Sequence, residues 1–355
     1  MKIINVVFLI LLFSCKNQAQ IYVCPPCDLN CDALTFTTSG TCTNCAMALV
    51  KKKEFLILNE VTITEGSGTF LIEGGKSKKD KSIQIFYYKP KTFNSNSKVL
   101  IVIPGAGRNA NAYRDTWIDE AEKQGILILS PEYQEKDYPF ENYHLCGLIS
   151  DLNLDRSLEF VKNSNMVKID ESKLSFKVNP KQDEWIFKDF DRIFDLVKKA
   201  TKSTQNKYDL FGHSAGGQIL HRLALFGQST KVNQIISTNS GFYTLPNFDS
   251  QLPFGLKNTR IKSQDLKLAF EKRLIILVGE LDNQHEVRGT LLRSETADKQ
   301  GLHRLERAQY FYKQAKAFAN LHQFNFNWEI EIVPEVGHDY RKMSKAASHI
   351  IYSQN

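Results

Sequence analysis

The sequence predicts an α/β fold, a mostly parallel sheet covered by helices on both faces, preceded by a small cysteine-rich module. Three observations carry that expectation. Short continuous apolar runs recur from residue 98 to residue 333, as strands buried on both faces require. Longer amphipathic stretches alternate with them, as covering helices do. Five of the seven cysteines crowd into residues 21–50, ahead of that alternation.

The chain opens on an export signal. Lys2 supplies the positive start, and the run Ile3 to Phe13 is apolar except for Asn5, too short for a permanent membrane helix. Two processing routes stay open. Leu12-Phe13-Ser14-Cys15 resembles a bacterial lipobox, which would make Cys15 a lipidated first residue, although Phe13 is bulkier than that pattern usually carries. Ordinary cleavage after Ala19 is the other route. Either one predicts a mature protein outside the cytoplasm, on the cell surface, in the periplasm or secreted, that meets a membrane only through the lipid. The expected divisions are a signal over 1–20, a cysteine-rich module over 21–50, a linker over 51–60 and the main domain over 61–355.

Within the main domain, Ser82 to Tyr88 alternates apolar and polar residues and reads as a strand. Lys98 to Ile103, Ile126 to Ser130, Tyr208 to Phe211, Val232 to Thr238, Leu274 to Val278 and Trp328 to Val333 are the near-continuous apolar strands. Helices are expected between them. From Ala112 to Gln124, Tyr113, Trp117, Ile118 and Ala121 share a face, with Asn109 or Asn111 at the start and Gly125 at the end. Trp185 to Thr201 and Leu305 to Ala319 have similar spacing. The interval from Tyr133 to Pro180 has no period and reads as an excursion over the sheet, where selectivity often resides.

The net charge of +7 and pI near 8.9 come from scattered lysines. The only dense runs, residues 51–53 and 76–81, lack interleaved aromatics, so nucleic acid is excluded as a partner.

The chemistry concentrates at Gly212-His213-Ser214-Ala215-Gly216, between a strand and an apolar helix expected near Gly217. A serine thrust out on a sharp strand-to-helix turn needs small residues two positions either side, because side chains there would meet the adjoining strand and helix. Ser214 is therefore the candidate nucleophile, and it needs a base. In this arrangement the partners follow in the order serine, acid, histidine. Among eight histidines, His338 follows the last strand, in Pro334-Glu335-Val336-Gly337-His338. His213 is expected to point away from the hydroxyl and His221 to pack in the core. His144, His285, His303, His322 and His349 are expected on the surface or capping locally. Asp282 follows the strand Leu274 to Val278 and is the candidate acid, with Glu280 the fallback. The other common acid position, after Val232 to Thr238, reads Asn239-Ser240-Gly241-Phe242 and offers no carboxylate. Donors for an oxyanion are expected from the backbone N–H of Ala215 and of Ala106 or Gly107, in the loop Pro104-Gly105-Ala106-Gly107-Arg108-Asn109.

With those pieces in place, residues from roughly 80 to 350 resemble the α/β-hydrolase superfamily, and within it bacterial secreted hydrolases grouped with poly(3-hydroxyalkanoate) depolymerases and feruloyl-type esterases. The matching pieces are the loop from Pro104 to Asn109, Gly212 to Gly217, Asn239-Ser240-Gly241-Phe242-Tyr243, Gly279 to Asp282, Gln300-Gly301-Leu302-His303-Arg304 and Val336-Gly337-His338-Asp339. The resemblance implies a serine hydrolase that acts on a small or polymeric ester and needs no cofactor for catalysis. The stretch from Ser150 to Lys173 is longer than that family core needs. A peptidase or amidase of the same fold, and an envelope metal-binding protein using the fold as a scaffold, are the competing readings.

Ahead of this domain, Cys24-Pro25-Pro26-Cys27 and Cys42-Thr43-Asn44-Cys45 stand fourteen residues apart. Two such turns can close a thiolate site for zinc or another soft metal, through Cys24, Cys27, Cys42 and Cys45. Disulfides are the rival arrangement in an exported chain. Residues 22–50 resemble the short heavy-metal-binding domain of bacterial envelope proteins, with Ala46 where that family carries glycine and Met47 retained. Cys31 is an extra thiol, a fifth ligand or a partner for Cys146.

Overall fold

Residues 20–24, 31, 34–51 and 61–352 are described by the structure, a computed structural model. Cys15, Cys27 and nearly all of the expected signal and linker lie outside the described residues. The chain divides into two compact units, Met1–Phe55 and Leu56–Asn355.

In the first unit, β1 (Tyr22–Val23) lies between β2 (Thr35–Phe36) and β3 (Val50–Lys51) and is antiparallel to both. Cys42 accepts a backbone hydrogen bond from Ala46, and donates one to Met47. Ala46 sits at φ 57°, in the left-handed region. That conformation is why a glycine suits the position, and alanine bears a cost of about 1 kcal/mol there.

The second unit is built on β4 (Gly66–Glu73), β5 (Ser82–Lys89), β6 (Val99–Ile103) and β7 (Leu127–Glu132). An excursion with β8 (Ile149–Asn153), β9 (Leu158–Phe160), β10 (Met166–Ile169) and β11 (Ser175–Val178) follows. The chain then returns through β12 (Tyr208–His213), β13 (Val232–Thr238), β14 (Leu274–Gly279), β15 (Leu291–Arg293) and β16 (Trp328–Val333). Eight strands form the main sheet, in the order β16-β14-β13-β12-β6-β7-β5-β4. The run from β16 to β7 is parallel throughout, while β5 and β4 add an antiparallel edge.

β6 and β7 are strands because both of their faces are covered, whereas β16, expected among the buried strands, is an edge strand with Glu329, Glu331 and Ile332 exposed. Along β6 and β7, Ile101, Ile103, Leu127 and Leu129 pack with Phe190, Ile193 and Leu220 on one side. Leu100, Val102 and Ile128 pack with Trp117, Met343 and Ala347 on the other. Each such aliphatic side chain taken from water contributes roughly 1.5–3 kcal/mol, so neither face leaves room for a polar alternation.

Several elements depart from the sequence reading. The helix expected over 112–124 is two, Ala110–Asp115 and Ile118–Gln124. Between them the Thr116 hydroxyl donates to the Tyr113 carbonyl, and Trp117 turns at φ −104°, ψ 0° to bury its indole completely. The helix expected from Trp185 starts at Phe187, because the Trp185 indole N–H is drawn to the Asn179 carbonyl. The helix expected near Gly217 starts at Ala215, immediately after Ser214. The edge strand β4 and the helix Tyr340–Tyr352 were not read from the sequence. The carboxyl ends of β12, β14 and β16 lie on one edge of the sheet and open onto the loops that carry Ser214, Asp282 and His338.

Candidate active site

β12 ends at His213 and a helix begins at Ala215, which leaves Ser214 alone to make the turn at φ 57°, ψ −113°. This is strained backbone for a residue with a side chain, at a cost on the order of 1–3 kcal/mol. The flanking glycines allow it. A Cβ on Gly216 would overlap the carbonyl of Ile103, and one on Gly212 would stand 2.5 Å from the Gly216 backbone. The Ser214 N–H is spent on the Thr238 carbonyl at 2.9 Å.

Asp282 and His338 come together although 56 residues separate them, with His338 Nδ1 2.8 Å from Asp282 Oδ2. Both side chains are almost fully buried. Burial, and then the nearby Arg304 guanidinium, lower the His338 pKa below its ordinary 6.5, and the hydrogen bond to Asp282 opposes them in part. Glu280, the fallback acid, is exposed and accepts from the Glu335 N–H.

Four residues that the sequence reading gave no part in the site hold the pair. Arg304 Nη1 donates to Asp282 Oδ1 at 3.0 Å, and its Nη2 donates to the carbonyls of Gly289 and Thr290 at 2.9 and 2.8 Å. Glu286 accepts the His338 backbone N–H at 2.5 Å and takes Arg288 on the same oxygen. Burial would raise the Glu286 carboxyl, but the Arg288 bonds and two backbone N–H donors carry it down to about 2. Asn239 stands where an acid was sought and braces the loops instead. It accepts from the Gly279 N–H and donates to the Gly337 carbonyl. Gly289, at φ 64°, lies so close to the imidazole that a Cβ there would be 2.6 Å from His338 Nε2.

The loop after β6 is pinned from beneath. Arg108, at φ 55° and buried, donates to the carbonyls of Tyr133 and Tyr138 and stacks 4.5 Å from the Tyr143 ring centre. The Tyr143 hydroxyl donates to the Pro104 carbonyl. The backbone N–H groups of Ala106, Gly107 and Ala215 have no hydrogen-bond partner among the described residues, and all three residues line the cavity above Ser214.

Ser214 and His338 line the same cavity, of about 680 Å³, with no hydrogen bond between them. The His213 ring, beside the serine in sequence, lies 4.5 Å from the His338 ring with its Nδ1 on the Tyr113 hydroxyl, so it borders the site and is braced by Tyr113. His144, expected on the surface or capping locally, is the C-cap of the helix Phe140–Tyr143; it also lines the cavity and stacks on Phe140 at 4.4 Å, which the sequence did not indicate. Burial, then Arg108 and Arg222, lower its pKa to about 3. His221 packs in the core with Nδ1 on the Gly217 carbonyl, and His303 caps the helix Arg304–Leu321. His285, His322 and His349 are exposed.

In the first unit, the sulfurs of Cys24, Cys31, Cys42 and Cys45 all lie within 4.8 Å of one another. Cys31 thus joins three of the four expected ligands, while Cys27 lies outside the described residues. Four soft donors at this mutual spacing fit a tetrahedral thiolate site, in which metal–sulfur bonds of about 2.3 Å set sulfurs close to 4 Å apart. Cys146 belongs to the other unit's core, a free and fully buried thiol, and its Sγ is 4.0 Å from the Ile219 carbonyl.

Neither a protein-family profile nor a curated protein matches the chain. Solved structures do. A poly(aspartic acid) hydrolase-1 from Sphingomonas sp. KT-1 is 31% identical, with a TM-score of 0.68, over 82% of this chain and 100% of that one. A poly(3-hydroxybutyrate) depolymerase, LpqC, from Bordetella parapertussis is 25% identical, with a TM-score of 0.69, over 82% of this chain and 91% of that one. No helix among the described residues is long and apolar enough to cross a membrane.

Proposed function

The chain belongs to the α/β-hydrolase superfamily, and on that premise we propose that it is a serine hydrolase that cleaves carboxylic esters through an acyl-enzyme. The observation that carries the reading is the buried His338–Asp282 hydrogen bond at 2.8 Å, facing the cavity that a strained Ser214 also lines.

In this reading Ser214 Oγ attacks the ester carbonyl and gives its proton to His338 Nε2. Asp282 holds Nδ1–H, which fixes the tautomer and steadies the imidazolium. The carbonyl oxygen becomes an oxyanion beside the N–H groups of Ala215 and of Ala106 or Gly107, none of which has another partner. His338 returns the proton to the departing alkoxide, and an acyl group remains on Ser214. Water, activated by the same imidazole, then releases the acid. A serine–histidine contact that closes only with substrate present is common in such sites.

The test is turnover of a short p-nitrophenyl ester and labelling by a fluorophosphonate. Ser214→Ala should abolish both while the fold persists; retention of either overturns the reading. Amide cleavage is the second reading, favoured by the 31% identity to a hydrolase whose named substrate is a poly(amino acid). Matched esters and amides of one acyl group separate the two.

Cys24, Cys31, Cys42 and Cys45 would hold a soft divalent ion such as zinc in a structural role, with Cys27 a further candidate. Such an ion stabilises the small unit and takes no part in the hydrolysis. Export, with Cys15 as the lipidated residue, is supported by Lys2 and the apolar run after it. The mass of the mature N-terminus tests it.

A further inference from the structure

Two strands of the excursion that the sequence left without a period, β9 and β10, form a small sheet with β15. Its registers align one apolar face. Val167 is paired with both Phe160 and Leu292, and Ile169 with Leu158. All five side chains line the cavity above Ser214 and His338. The other face carries Lys168 against Glu159, and Arg293 ion-paired to Asp298. Side chains alternate across a strand, so the apolar residues share a face because of the pairing and not by chance. At the rim of that face Phe160 is 75% exposed and Leu158 38%.

The charges around the cavity point the same way. Arg288 is the one Lys or Arg side chain among its lining residues, and it is already held by Glu286 in two bonds and by Asp339 at 3.4 Å. Glu135, also lining, adds an exposed carboxylate. His144 and His213 are kept neutral. A substrate carboxylate placed here would find repulsion and no free cation, whereas an alkyl chain would find an apolar wall.

We infer that this cavity selects uncharged esters bearing an extended apolar chain, which lies against the face formed by Leu158, Phe160, Val167, Ile169 and Leu292. The inference rests on the proposed ester hydrolysis and names its substrate class. The chain belongs to either the acyl or the alcohol side of the bond, and two series of soluble esters distinguish them. One runs from p-nitrophenyl acetate to octanoate, the other from ethyl to octyl acetate.

Partial burial of the added methylenes should raise kcat/KM by at least roughly tenfold along one series. The terminal-carboxylate analogue of octanoate, the mono-p-nitrophenyl ester of suberic acid, should lose at least roughly tenfold against octanoate at equal length. Phe160→Asp, at an exposed position and with its thermal melt compared with wild type, should flatten the responding series. Lys168→Gln, on the opposite face, should leave its slope unaltered. If acetate is hydrolysed but both series are flat, or the suberate ester is preferred, this inference falls and the hydrolase reading stands. If the wild type hydrolyses no ester at all, both fall.

Discussion

Arg304 and His338 share one carboxylate: Asp282 gives Oδ1 to Arg304 Nη1 at 3.0 Å and Oδ2 to His338 Nδ1 at 2.8 Å. Both contacts are buried, so the guanidinium fixes the acid's orientation and also places a positive charge where it disfavours an imidazolium.

The pH profile should report this charge. His338 must be neutral to accept a proton, and its folded pKa lies below 6.5, so activity should fall only on the acid side of that value. Arg304→Met removes a charge that lowers this pKa, so the acid limb of kcat/KM should move to higher pH. It should also cost about a hundredfold in rate, since Asp282 and the carbonyls of Gly289 and Thr290 lose their anchor. Arg304→Lys should keep the limb near its wild-type position while still losing rate. A profile indifferent to Met at 304 would remove the electrostatic part of this account.

Gly289→Ala isolates steric support of the imidazole. The added Cβ would lie 2.5 and 2.6 Å from His338 Cδ2 and Nε2, on a backbone at φ 64°. The ring has to move by more than its bond to Asp282 tolerates, so kcat should drop at least roughly tenfold, while the strain itself costs only about 1 kcal/mol. Steady-state kinetics beside a thermal melt separate the two effects.

How much of this was legible in the sequence depends on range. The strand that ends at Gly279 was readable because both faces are buried and no polar residue interrupts it, and the one that ends at His213 because Asp209 alone breaks its apolar run. The one that ends at Val333 was readable only as an apolar alternation, since Glu329 and Glu331 face solvent. Ser214 was readable because its constraints lie within two residues. The roof was not: β9 has three residues, and its partner β10 pairs in parallel with β15, over a hundred residues downstream. Arg304 carried a signal that local reasoning could have used. An arginine at the first position of a helix opposes the helix dipole, so its presence there asks for a partner elsewhere. Cys31 was legible only as a fifth ligand or a partner for Cys146, and its sulfur lies with those of Cys24, Cys42 and Cys45; C-x-x-C spacing does not report which sulfurs converge.

Arg108 braces the loop after β6, whose N–H groups the proposed mechanism assigns to the oxyanion. Its guanidinium donates to the carbonyls of Tyr133 and Tyr138, and its backbone N–H closes a turn on the Gly105 carbonyl at 3.0 Å. Arg108→Met should free Ala106 and Gly107 to wander and lower kcat by roughly ten- to a hundredfold, with KM changed less, as expected for a group felt mainly in the transition state. A KM effect with kcat intact would relocate its role to ground-state binding.

The cysteine cluster gives a stoichiometric expectation. Protein purified without chelator should carry about one soft metal ion per chain by elemental analysis, and Cys42→Ser or Cys31→Ser should lower that content sharply. Ester turnover by the second unit should persist in these variants, because no catalytic group belongs to the cluster. Metal content equal to wild type in Cys31→Ser would return the fourth ligand to another residue.

Acid stability should depend on histidines held neutral in the interior. His221 is fully buried, with Nδ1 on the Gly217 carbonyl and Nε2 accepting the Thr244 N–H. A second proton would set N–H against N–H. Burial drives the pKa of both His221 and His213 well below 6.5. The unfolded chain therefore binds more protons than the folded one as pH drops beneath 6.5. The stabilising contribution is complete above that value and is lost on acidification, at up to about 1.4 kcal/mol per pH unit for each histidine. Urea midpoints between pH 7.5 and 5 should fall accordingly. His221→Gln, whose amide oxygen can still accept from Thr244, should reduce the slope by close to one proton. An unchanged slope in that variant would mean that other groups govern the acid transition.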